Sequence, residues 1–154
     1  MSTRIIDDIF YSERLVRFSY CDPAGIVFYP QYFVMFNGLV EDWFNQGLGV
    51  NYAKYITEQR QGLPIVNLSC DFIAPSKIGE MITLGLQLEH LGNSSMKFAV
   101  TCSYKGTARV KAKMVLVNMD LDKERAVPLP EKLREQMVAF REGKLDINRY
   151  REDG

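Results

Sequence analysis

"CDPAGIVFYPQYFVMFNGLVEDWF", residues 21–44, joins a Pro/Gly turn to an aromatic helix with no linker between them. Pro30 suits the first helical turn, where a backbone N–H would be unpaired anyway. From there Phe33, Phe36, Val40, Trp43 and Phe44 recur at three- and four-residue steps, which is helical spacing. Gly47 and Gly49 mark the far end. Aromatics lie around much of this helix, so other structure is expected to wrap it rather than cover one side only.

The flanking sequence changes period. Upstream, "ERLVRFSYC" alternates, with Leu15, Arg17, Ser19 and Cys21 on one face and Val16, Phe18 and Tyr20 on the other, and reads as a strand. The first dozen residues read as an arm. Downstream, a shorter helix is expected over "NYAKYITEQRQ". Four strands follow. "PIVNLSCDFI" puts Val66, Leu68, Cys70 and Phe72 on one face. "EMITLGLQLEHL" does so with Ile82, Leu84, Leu86 and Leu88, and "SSMKFAVTCSYK" with Met96, Phe98, Val100, Cys102 and Tyr104. "ARVKAKMVLVNMDL" is apolar on both faces near its middle, as a central strand would be. The breaks at Pro75–Gly79, Gly92–Ser94 and Gly106–Thr107 are short, which predicts antiparallel neighbours. Leu133, Met137 and Phe140 mark a terminal helix, and about 142–154 reads as a polar tail. A sheet curled around one buried helix, in a single domain over 1–154, is the economical way to cover that helix.

Composition narrows the function. The chain has 154 residues, 47% hydrophobic and 12% aromatic, enough for a real core. Nineteen basic residues balance nineteen acidic ones, so the net basic field that nucleic acid or an anionic membrane surface selects is missing. Cys21, Cys70 and Cys102 are widely spaced with no CxxC pair, and His90 is the only histidine, so no Cys/His metal site is readable. Reduced cysteines and a cytoplasmic location are expected. Asp7 and Asp8 stand where a signal peptide would carry its apolar core, and no apolar run is long enough to cross a bilayer.

The turn ahead of the helix is the candidate site. Pro23 pushes Asp22 towards an extended backbone, and Gly25 can reverse the chain. The helix start offers unpaired N–H groups and partial positive charge. These can hold the negative oxygen that develops when a carbonyl is attacked, and one such donor is typically worth about 3 kcal/mol. Asp22, folded back towards the same end, can act as nucleophile or as general base on water. On spacing alone two readings stay open, since Asp-Pro pairs are common turn formers and aromatic runs are common core.

"DPAGIVFYPQYF" resembles the signature of hot-dog-fold acyl-CoA thioesterases, particularly the 4-hydroxybenzoyl-CoA thioesterase type. The resemblance runs from about Arg14 to Met137, and "LPIVNLSCDFIAPSKIGEMITL" resembles the family's second and third strands. It implies a hot-dog fold, an antiparallel sheet wrapped around a long helix. It further implies dimers that pair their sheets and assemble into homotetramers, with sites at the subunit interface. Carried over by position, Asp22 is the catalytic carboxylate, the Tyr29 backbone N–H polarises the thioester carbonyl, and Phe28 lines the acyl pocket. Two positions depart from the family pattern. Asn37 stands where an Asp would receive a substrate hydroxyl, and Gly92, Asn93 and Ser94 stand where an Arg-Arg-Lys cluster would hold the nucleotide phosphates.

Arg109, Lys111 and Lys113 share one strand face and, with Lys105, form the clearest basic patch. They read either as a solvated surface that discourages edge pairing or as a cationic rim for coenzyme A phosphates. Ser94 and Ser95 are turn residues or contacts for the pantetheine arm. Cys21 has no neighbouring base to activate it. No GxSxG elbow and no phosphate-binding glycine motif is present. The expected activity is hydrolysis of an aromatic or short-to-medium acyl-CoA, with no metal and no cofactor beyond the coenzyme A of the substrate. A non-enzymatic acyl-thioester binding protein and a hot-dog hydratase or dehydratase are the alternatives.

Overall fold

The computed structural model describes residues 2–145. It opens with a hairpin, β1 (Thr3–Ile6) and β2 (Ile9–Leu15), and a single 3-10 turn at Phe18–Tyr20. The long helix α1 (Pro30–Asp42) follows, then the short α2 (Tyr52–Thr57). The strands β3 (Gln61–Gly62), β4 (Ile65–Phe72), β5 (Met81–Leu91), β6 (Ser95–Tyr104) and β7 (Thr107–Val117) come next, then β8 (Met119–Asp120), β9 (Arg125–Ala126) and the helix α3 (Glu131–Arg141).

The main sheet is antiparallel, in the order β1-β2-β5-β6-β7-β4, and β3, β8 and β9 form a small second sheet. The apolar faces expected on β5 and β6 point inward and β7 adds a third, while the face expected on β4 (Val66, Leu68, Cys70 and Phe72) is not buried. Ile82, Leu84, Leu86 and Leu88 of β5, Met96, Phe98, Val100 and Cys102 of β6, and Val110, Ala112, Met114 and Leu116 of β7 are all buried. Alternation at period two selects these residues, because successive side chains of a strand point to opposite faces. The inner face closes on α1, which buries Tyr32, Met35, Phe36, Leu39 and Val40. Beyond Asp42 the helix widens into a π-turn over Trp43–Leu48, capped by Gly49 in the left-handed conformation. The Trp43 ring lies edge-on to Phe44, Phe98 and Phe140, at 5.6, 5.2 and 5.3 Å. Leu133, Met137 and Phe140 of α3 complete this core.

Four expectations are corrected. The first dozen residues are not an arm, because Thr3–Ile6 pairs with β2, and β2 pairs along its length with β5. The predicted strand through Cys21 ends at Leu15; the chain then bends through the 3-10 turn, so Arg17 and Ser19 never join a ladder. The Pro75–Gly79 break does not join neighbours, since β4 pairs with β7 while β5 lies between β2 and β6. Finally, α1 is not wrapped on all sides: Val34 and Asn37 are exposed and Phe33 only half-buried. The part of the expected tail from 146 onward lies outside the described residues.

One edge of the sheet stands out. All but one of the β4 residues are exposed, and Ile65, Val66, Leu68 and Phe72 are large apolar side chains among them. β4 has a hydrogen-bonded neighbour, β7, along only one of its two edges among the described residues.

Candidate active site

The Asp22 turn is closed by its own backbone. Gly25 N–H donates to Asp22 C=O at 3.0 Å, and Asp22 N–H donates to Ile26 C=O at 3.0 Å. Gly25 has φ +79°, a conformation that L side chains disfavour. The Asp22 carboxylate accepts the Ala24 N–H at Oδ1, 2.8 Å away, which fixes the side chain in an Asx turn. Its Oδ2 accepts no hydrogen bond among the described residues.

The chain then returns alongside itself. Cys21 bridges Val27, and Phe28 N–H donates to Tyr20 C=O at 2.9 Å. Asp22 thus lies across from Ile26, and Tyr29 follows three residues on, at most roughly 11 Å of extended backbone. At the helix start, Gln31 and Tyr32 donate to the carbonyls of Phe28 and Tyr29, and Pro30 has no N–H to offer. The Tyr29 N–H is left without a partner among the described residues. Sequence reasoning expected several free donors here; tight i→i−3 bonds and the proline reduce them to one.

One cleft lies at the helix start and a second lies farther along the helix. Val27, Tyr29, Tyr32, Phe72, Ile73 and Pro75 line one of about 260 Å³. Phe33, Asn37, Leu63, Ile65, Leu68 and Met114 line another of about 310 Å³. Between them Phe33 and Phe72 meet edge-on, with ring centroids 6.2 Å apart, and Phe72 also meets Tyr29 at 6.1 Å. Asn37 lies two helical turns beyond Tyr29, roughly 12 Å along the axis. Phe28, expected to line the acyl pocket, is half-exposed and packs against the edge of Tyr29, lining neither cleft within the protomer.

The remaining candidates lie elsewhere. Ser94 and Ser95 sit past the end of β5, roughly 30 Å from its Met81 end, near which the Asp22 turn lies. Their carbonyls accept the N–H groups of Asn118 and Gly92, as turn residues do. His90 is exposed beside a bulge at that same far end. In the basic row, Arg109 pairs with Glu80 and Lys113 with Glu89, while Lys111 has no ion pair among the described residues. Edge protection is not the role of this row, since β7 lies between β6 and β4. The three cysteines are free thiols. Burial, then the Asp22 charge, push the Cys21 thiol up, and burial pushes that of Cys102 up to about 11. Among the described residues no group of three or more His, Cys, Asp or Glu side chains is placed to hold a metal ion. Sequence reasoning placed Arg109 in the basic row and missed its partner Glu80; together they hold the segment packed against the Asp22 turn. They are 29 residues apart, and only the strand order brings them together.

The family model described as the thioesterase-like superfamily matches residues 16–137. This chain belongs to that superfamily. A 1,4-dihydroxy-2-naphthoyl-CoA hydrolase of Acaryochloris marina is 26% identical over 125 residues, which cover 78% of this chain and 89% of that protein. Among solved structures, a 1,4-dihydroxy-2-naphthoyl-CoA thioesterase from Synechocystis aligns with a TM-score of 0.77 at 23% identity, over 84% of this chain and 96% of the other. A gentisyl-coenzyme A thioesterase aligns with a TM-score of 0.75 at 23% identity, over 82% and 98%. The fold is therefore the hot-dog fold expected from the sequence, and this member of the superfamily is a thioester hydrolase. No helix among the described residues is long and apolar enough to cross a membrane.

Proposed function

We propose that this thioesterase hydrolyses aromatic acyl-CoA esters at the Asp22 turn. The observation that carries the reading is that, among the described residues, the Tyr29 N–H at the helix start and the Asp22 Oδ2 on the same doubled-back loop are both without a hydrogen-bond partner. The thioester carbonyl accepts from the Tyr29 N–H, which stabilises the oxyanion formed on attack. Asp22 then works by either of two routes. As general base it takes a proton from water, whose oxygen bonds to the carbonyl carbon. As nucleophile its Oδ2 attacks that carbon to give a mixed anhydride, which water then cleaves. In both routes the C–S bond breaks, the thiolate of coenzyme A leaves and is protonated, and the free acid is released. This chemistry uses no metal and no redox cofactor.

The cleft under Phe33 supports an aromatic acyl group, since it is apolar with one amide, Asn37, able to bond a phenolic hydroxyl without adding charge. The naphthoyl-CoA relative supports the same class. Phe28 joins the acyl pocket only from across a subunit boundary in this reading. Lys111 and the Ser94–Ser95 turn are likewise assigned to coenzyme A contacts made across subunits. A second copy pairing along the open edge of β4 supplies that boundary, and two such dimers make the homotetramer. A cytoplasmic location accords with three free thiols.

The test is a panel of CoA esters (dihydroxynaphthoyl, benzoyl, phenylacetyl and straight-chain) read by free-thiol release, with Asp22→Asn and Asp22→Ala alongside. Turnover of the aromatic esters, lost in both variants, is expected. Near wild-type turnover in both variants overturns the site. Ligand binding without thiol release throughout the panel marks an acyl-thioester binding protein instead.

A further inference from the structure

We infer that Arg109 and Glu80 are positioning residues for this reaction, a paired staple that sets the Asp22 turn without touching substrate. The inference rests on the Asp22 and Tyr29 reading above. The Asp22 turn is held from outside by the segment between β4 and β5. Val27 N–H donates to Ser76 C=O at 2.9 Å, and Ile78 N–H donates to Gly25 C=O at 2.9 Å. That segment has no regular structure of its own, so its shape must be imposed.

Arg109 imposes it with both backbone and side chain. Its carbonyl accepts the N–H groups of Ile73 and Ala74, at 2.8 and 3.1 Å. Its guanidinium donates to Pro75 C=O at 2.6 Å and to both oxygens of Glu80, at 3.0 and 3.2 Å. Glu80 closes the other end by accepting the Lys77 N–H at 2.6 Å, and Glu80 N–H donates to Lys77 C=O at 3.1 Å. The guanidinium lies over the Tyr104 ring, 4.7 Å from its centroid, and both charged side chains are more than four-fifths buried. Ser76, inside the loop so formed, is fully buried. A planar fork with several donors can grip two carboxylate oxygens and a carbonyl at once, whereas a lysine is a point charge that cannot. Displacing a catalytic group by about 1 Å can cost on the order of 100-fold in rate, so a staple two contacts away from Asp22 suffices to tune turnover.

Glu80→Gln, Arg109→Met, Arg109→Lys and the Glu80→Gln/Arg109→Met pair test this, with melting as the control for folding. Two readings are taken: steady-state turnover on the best ester of the panel, and hydrogen exchange at the Val27 and Ile78 amides. The expected result is a kcat loss of roughly 10- to 100-fold with KM held within about twofold. Val27 and Ile78 should exchange faster in Glu80→Gln and in Arg109→Met, with no further loss in the double variant because the two residues act as one unit. Arg109→Lys should fall between. Should Arg109→Met fail to fold, the near-isosteric Glu80→Gln carries the same readings. Unchanged protection at Val27 and Ile78 in the folded single variants overturns the staple, and so does a raised KM with kcat intact, which would make Arg109 a binding residue. Full turnover in Asp22→Asn overturns the catalytic reading independently, because the exchange measurement does not depend on it.

Discussion

Gly25 and Gly106 offer a matched experiment on whether the shape of the Asp22 turn matters for chemistry. Both have positive φ, +79° and +80°. A Cβ on Gly25 would meet Ile78 Cγ2 at 3.6 Å, an ordinary contact, and a Cβ on Gly106 would meet nothing within 4 Å. Neither alanine clashes, so the cost in each case is the backbone term alone, about 1–2 kcal/mol for an L residue in the left-handed region. For a chain of this size that corresponds to roughly a 2–8 °C fall in melting temperature. The surroundings differ. Lys105 and Gly106 form the two-residue tip of the β6–β7 hairpin, both with positive φ as that turn requires. Gly25 closes the turn that holds Asp22. Gly25→Ala and Gly106→Ala should therefore lose similar stability, while thiol release falls by about 100-fold in Gly25→Ala only. Differential scanning fluorimetry and the thiol-release assay, run on both variants at one protein concentration, read the two effects. Equal loss of turnover in both, or full turnover in a destabilised Gly25→Ala, would refute the link between turn geometry and catalysis.

Trp43 and Glu80 give two further tests. Trp43→Ala should cost about 3–5 kcal/mol in chemical denaturation, because a fully buried ring with three edge-on aromatic neighbours is removed. Trp43→Phe should cost much less than that, since it also removes a buried indole N–H that has no partner among the described residues. The Arg109 guanidinium, through its hydrogen bond first, holds the Glu80 carboxyl below the usual glutamate range. A depressed carboxyl pKa contributes stability that is fully present above the unfolded-state value, about 4.3, and is lost as pH falls through the folded-state value. The melting difference between wild type and Glu80→Gln should thus be constant from neutral pH down to about 5 and shrink in stronger acid. A difference that instead grows on acidification would contradict the pairing.

The helix and the central strands were legible because burial writes a period into the sequence. Every second residue of β5 and β6 is apolar, and α1 repeats at three and four, so the core could be named residue by residue. The edges were not legible, for a physical reason. Ile5 and Ile9 belong to an outer hairpin whose partner, β5, begins some 70 residues later, and no local period encodes that pairing. The same holds for Glu80 and Arg109. Pro75 and Gly79 signal a break, but not that the chain crosses the sheet there instead of turning back. Asp22 itself was visible as the acid of a Pro/Gly turn. That the helix start keeps one donor, the Tyr29 N–H, unpartnered among the described residues depends on bonds from Gln31 and Tyr32 that no local sequence pattern encodes.

The composition of β4 also matters before the chain has finished folding. Ile65–Cys70, "IVNLSC", is six residues with no charge, no proline and no glycine, which is the makeup of segments that stack into cross-β aggregates when left uncovered. Its native partner β7 is translated about 40 residues later, so on a ribosome the segment waits exposed. Pro64 and Asp71 bracket it, a residue that cannot donate to a ladder on one side and a charge on the other. These two flanking residues act as gatekeepers of the nascent chain, and their replacement should show first in the yield of soluble protein.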